Sequence, residues 1–131
     1  MRTLFSIAVA LLVSCGSRPA AQPLTAPAEL PGGWRLEGSA DLPSAEAPQL
    51  VRSLSLKRAL RARYQGPASL TVTFFEMTTA PAAFELVQKW RPAPGTLFLH
   101  HKAWFLLIES PGSSNAALSQ VATALEAHLK Q

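Results

Sequence analysis

One cysteine and one aspartate stand in 131 residues, and each scarcity closes off a class of chemistry. A lone thiol, Cys15, leaves the chain without an internal disulfide. Asp41, the single aspartate, is read in a loop, so a nucleophile–base–orienter set cannot be assembled around it. No glycine-rich phosphate loop occurs; Gly32 and Gly33 before Trp34 read as a turn. No apolar run is long enough to cross a bilayer. The longest of the N-terminal part, residues 4–13, would measure about 15 Å as a helix, against a hydrocarbon core of about 30 Å. Charge is modest too, with 12 basic and 8 acidic residues and a net charge of +4. That balance does not indicate nucleic acid.

What is present begins at the N-terminus. Met1, Arg2 and Thr3 give a short positive start, "LFSIAVALLV" follows, and small residues come next. A charged start, a short apolar core and small residues form the pattern of a secretory signal peptide, residues 1–14. Leu12, Val13, Ser14 and Cys15 resemble the lipobox of bacterial lipoproteins. The resemblance implies transfer of a diacylglyceryl group to the Cys15 thiol, cleavage before Cys15, and an N-acylated terminus. Two or three acyl chains anchor stably where one is marginal. Gly16 stands where an aspartate is associated with inner-membrane retention in enteric bacteria, so the resemblance favours the outer membrane, facing the periplasm. Loss of the leader removes Arg2 and no acid, leaving 11 basic and 8 acidic residues.

Residues 15–31 then read as lipid anchor and tether. Prolines 19, 23, 27 and 31 recur among small residues, a composition suited to an extended, solvated spacer. Residues 32–131 are enough for one small domain. A strand is predicted around Trp34 and Leu36, and a helical turn near Pro48. Strands over "LSLKRALRARY" and "SLTVTFFEM" flank a Gly66-Pro67 turn. In the first, Leu56, Leu60, Ala62 and Tyr64 share one face, with Arg58 as the exception, and Lys57, Arg61 and Arg63 share the other.

The period then becomes helical. Thr78 or Thr79 caps a helix with Pro81 in its first turn, and Phe84, Val87 and Trp90 recur until Pro92 ends it. "TLFLHH" and "AWFLLIES" read as two strands joined tightly near Lys102. Ser113, Ser114 or Asn115 caps a last helix with a stripe of Leu118, Val121, Ala122, Leu125 and Leu129. Tight joins between consecutive strands require antiparallel pairing. The expected fold is therefore α+β: a mainly antiparallel sheet of about five strands with two main helices packed on one face.

"LPGGW", "YQGPASLTVTFFEM", "AAFELVQKWRPAPG" and "FLLIESP" with a following helix resemble an uncharacterised family of bacterial lipoproteins, a domain of unknown function. The resemblance covers roughly residues 30–130 and implies the same element order. It implies no catalytic residue, cofactor or ligand.

The remaining candidates are few. His100 and His101 are neighbours on a strand, so they point to opposite faces and do not share one metal ion. His128 lies on the last helix. Glu76 and Glu109 fall near strand ends, without a spacing that the sequence establishes. Trp34, Trp90 and Trp104 read first as core, and second as an aromatic groove. Phe75 shares a predicted face with Thr71 and Thr73, which would expose it as a partner patch. Lys57, Arg61 and Arg63 read as a solvated face or as a docking face for anionic headgroups or an acidic partner. The expectation is a non-enzymatic, lipid-anchored interaction or accessory module of the cell envelope, without metal or cofactor. It is membrane-bound through Cys15, with a possible envelope protein partner. The alternative is a small-molecule or lipid-binding module with an apolar pocket between sheet and helices.

Overall fold

Near its start the described chain doubles back through two glycines. The computed structural model describes residues 24–131; the leader, Cys15 and the tether as far as residue 23 lie outside them. Gly32 and Gly33 both take positive φ, 101° and 86°, which a side chain disfavours. The turn folds β1 (Glu29–Leu30) antiparallel onto the start of β2 (Trp34–Leu42). Residues 24–31, expected within the tether, thus belong to the folded domain. Leu30 is buried, and Leu24 and Ala26 pack against the same cluster. Tyr64 donates a 2.8 Å hydrogen bond to the Pro27 carbonyl.

After β2 come a 3-10 turn (Ser44–Glu46) and α1 (Gln49–Ser53), which starts behind Pro48. Strands β3 (Leu56–Gln65) and β4 (Ser69–Met77) form the hairpin around Gly66 and Pro67. Helix α2 (Ala80–Lys89) is capped by the Thr79 hydroxyl, which accepts from the Ala82 amide at 3.2 Å. Strands β5 (Thr96–His101) and β6 (Trp104–Glu109) follow, joined by Lys102 and Ala103, with Lys102 at φ 52°. Ser114 caps α3 (Asn115–Leu129) in the same manner. The sheet has six strands in the order β1-β2-β3-β4-β6-β5, with every neighbouring pair antiparallel. The antiparallel α+β class is as expected. The strand beyond the expected five is β1, which the proline-rich composition hid.

The two main helices lie on opposite faces of the sheet, not on one. On one face Val72, Phe74, Leu106 and Ile108 pack with Leu118, Val121 and Leu125 of α3. On the other, Phe75, Met77, Phe105 and Leu107 pack with Ala83 and Leu86 of α2 and Val51 of α1. The cause is the composition of the central strands. β4 and β6 carry large apolar groups at consecutive positions, and alternation sends them to both sides. Each face then needs a cover. Burying one leucine- or valine-sized side chain contributes roughly 1.5–3 kcal/mol, so a bare second face would forfeit several such terms.

Two further residues change place for the same reason. Phe75 is buried under α2, at 1% exposure, rather than forming an exposed patch. Phe84 is 49% exposed, and the inward line of α2 runs through Ala83 and Leu86, with Val87 and Trp90 at its margin. The α3 stripe faces the sheet as predicted. All three tryptophans pack against the core: Trp34 is buried, and Trp90 and Trp104 sit at its margins.

Candidate functional site

The face covered by α2 is not covered evenly. Helix α2 lies against β4, β5 and β6, while α1 and the 3-10 turn lie mainly against β3 from its side. Along β2, the residues that share this face are Gly38, Ala40 and Leu42, paired with Arg63, Arg61 and Ala59 of β3. Gly38 and Ala40 are too small to fill the space beside the arginines. The result is a cleft of about 510 Å³ lined by Gly38, Ala40, Leu42, Arg61 and Arg63, together with Glu37, Ser39, Asp41 and Glu46.

Arg61 and Arg63 stand two residues apart on β3, so strand alternation aims both at this cleft, about 7 Å apart along the strand. On their inner side they are paired with Thr73 and Thr71 of β4. Among the described residues no carboxylate lies within ion-pair distance of either guanidinium. Arg61 is half-buried, and its Nε is shielded from solvent without a hydrogen-bond partner. An unmade hydrogen bond at a buried donor costs roughly 1–3 kcal/mol, more for a charged group. A guanidinium cannot relieve that cost by losing its proton.

Lys57 does not join the pair. A bulge in β3 between Leu56 and Arg58 breaks the alternation and sends Leu56 to the α2 side. Lys57 Nζ and Arg58 Nε instead meet Glu76 Oε1 at 3.4 and 3.2 Å. The Arg58 guanidinium also lies 5.6 Å from the centre of the Trp104 ring. The three-residue basic face expected from alternation is therefore two arginines in a cleft and a lysine held elsewhere. Asp41, read in a loop, is a residue of β2.

The other candidates separate. His100 packs edge-on against Phe84, with ring centres 5.5 Å apart. His101 pairs with Trp104 across β5 and β6, on the opposite face, and its Nε2 is buried without a partner. His128 Nε2 lies 2.6 Å from the Thr25 carbonyl and ties α3 to the N-terminal segment. No three His, Cys, Asp or Glu side chains gather as a metal site among the described residues. Glu76 and Glu109 are paired with Trp104 and Thr71, at opposite ends of the β4–β6 ladder. That is about 17 Å along the strand. Between the sheet and the helices the described residues form the two packed clusters.

Alternation alone placed Arg61 and Arg63 on one face. The cleft beside them depended on Gly38 and Ala40, small residues at alternate positions of an exposed strand. That was its signal in the sequence. Compared with protein-family models, curated proteins and solved structures, the chain matches none of them.

Proposed function

We propose that this chain is a bacterial lipoprotein of the uncharacterised kind that it resembles, anchored through lipid-modified Cys15 and facing the periplasm. Its domain acts as a non-enzymatic interaction or accessory module of the cell envelope. The observation that carries the reading is the position of Cys15, the chain's one thiol, directly behind the ten-residue apolar run. Leu24, the first described residue, stands nine positions after Cys15, and an extended chain of that length reaches about 30 Å. A domain on so short a leash works close to the membrane surface. The packing on both sheet faces is consistent with a module that presents its surface, and the arginine cleft is the feature of that surface best suited to contact.

Mass spectrometry of the protein extracted from membranes tests the anchor. The expected mass lacks residues 1–14 and gains two or three acyl chains. Cys15→Ser should accumulate unprocessed precursor. An unmodified mature terminus at another residue would overturn the reading.

A further inference from the structure

We infer that the Arg61–Arg63 cleft is a binding site for the phosphate group of a small zwitterionic phosphoester, of which phosphoethanolamine is the simplest chemical example. The inference does not depend on the lipid anchor, because it rests on residues 37–63 of the folded domain.

Three observations converge on it. First, Arg61 carries a buried Nε donor without a partner, at the wall of a cleft large enough for a small ligand. That nitrogen is enclosed and is not itself the contact; the terminal nitrogens of the same guanidinium are the donors a ligand oxygen in the cleft would meet. Second, Arg63 stands beside it on the same face, and neither guanidinium has a carboxylate within ion-pair distance among the described residues. Two planar forks offer more donors than a carboxylate's two oxygens take, and match the three terminal oxygens of a phosphate monoester. Third, the lining is not uniformly basic. Glu37 and Glu46 border the same cleft, while Asp41, paired with Leu60, turns its side chain to the opposite face of the sheet. The charge of the two glutamates disfavours a polyanion such as a nucleic acid and favours a ligand with a cation attached to its phosphate.

The shape follows from the sequence. Gly38 and Ala40 leave the β2 side of the cleft low, and a Cβ built on Gly38 would meet nothing within 4 Å. A polar, open cleft between an arginine wall and an acidic rim suits a small headgroup and not an acyl chain.

The test uses the full-length chain, purified in detergent, and follows the Nε–Hε resonances of its arginines by NMR. Phosphoethanolamine should shift the Arg61 and Arg63 resonances saturably, and inorganic phosphate should do so with about tenfold weaker affinity. Sodium chloride at matched ionic strength should not. Arg61→Lys and Arg63→Gln should each weaken binding by about tenfold or more, the equivalent of about 1.4 kcal/mol. Ala40→Leu, which fills the cleft without changing any charge, should abolish it. Lys102→Gln, outside the cleft, should leave it unchanged. A parallel titration with vesicles containing phosphatidylethanolamine distinguishes a lipid headgroup from the free phosphoester as the source. Binding weakened equally by Lys102→Gln and by Arg63→Gln would reduce the effect to net charge and overturn the proposal. So would equal affinity for phosphoethanolamine and inorganic phosphate, or resonances that do not move with either.

Discussion

Phe74 and Phe75 are consecutive residues of β4, both buried, and they belong to different hydrophobic cores. Phe74 is paired with Leu106 and faces the cluster completed by α3, while Phe75 is paired with Phe105 and faces α2. The sheet is a wall between two cores, and the hydrogen-bonded ladder of β3, β4 and β6 holds them in register. Each core therefore has its own reporter.

Phe74→Ala and Phe75→Ala should each destabilise the domain by roughly 3–5 kcal/mol, as large aromatic truncations do. Their local effects should differ. Hydrogen exchange should quicken first in α3 for Phe74→Ala and first in α2 for Phe75→Ala. Faster exchange in the same helix for both variants would contradict the two-core arrangement.

Trp90 stacks at a tilt on Phe105, with ring centres 5.2 Å apart, at the margin of the α2 core. It is half-buried, so Trp90→Ala should cost less than Phe75→Ala, about 2–3 kcal/mol in denaturant titrations. A cost equal to that of Phe75→Ala would place the indole at the centre of the core.

Tyr64 is the single tyrosine of the chain, and burial holds its phenol well above the usual range. Because the folded-state value is the higher one, the stability linked to this group is complete below its unfolded value of about 10. That stability is then lost as pH rises further. Tyrosinate absorbance in an alkaline titration should therefore appear together with unfolding and not before it. Tyr64→Phe removes the donor to the Pro27 carbonyl, should cost about 1 kcal/mol near neutral pH, and should flatten the alkaline loss.

Gly66 approaches the backbone of the Gly32-Gly33 turn so closely that an added Cβ would lie 2.6 Å from the Gly33 carbonyl oxygen. The ring of Trp34 is the next neighbour, at 3.1 Å. Gly66→Ala should destabilise the domain by about 1–3 kcal/mol, the range for forcing extra volume into a packed site. Gly38→Ala, with open space around it, should stay within about 0.5 kcal/mol of the parent. Thermal denaturation of the two variants separates a steric contact from a general intolerance of glycine replacement.

The sequence by itself determined the features that depend on neighbours along the chain. The Thr79 and Ser114 caps, Pro81 in the first turn of α2, the α3 stripe and the Gly66-Pro67 hairpin all follow from local backbone chemistry. Antiparallel pairing followed from the tight joins. Only the tertiary structure decided which surface each face meets. From the sequence, both main helices are expected on one face and Phe75 on the exposed other. The apolar pairs Phe74-Phe75 and Phe105-Leu106 are buried on both faces only because α2 and α3 each cover one. The proline-rich start concealed β1 because Leu30 is buried in a cluster with Tyr64 and the α3 residues Leu118, Val121 and Leu125, which are distant in the chain. The bulge that withdraws Lys57 from Arg61 and Arg63 has the same origin. Alternation is a property of one strand, whereas a bulge arises in the pairing of two. The arginine cleft is in turn a product of three elements, β2, β3 and the 3-10 turn, none of which encloses it alone.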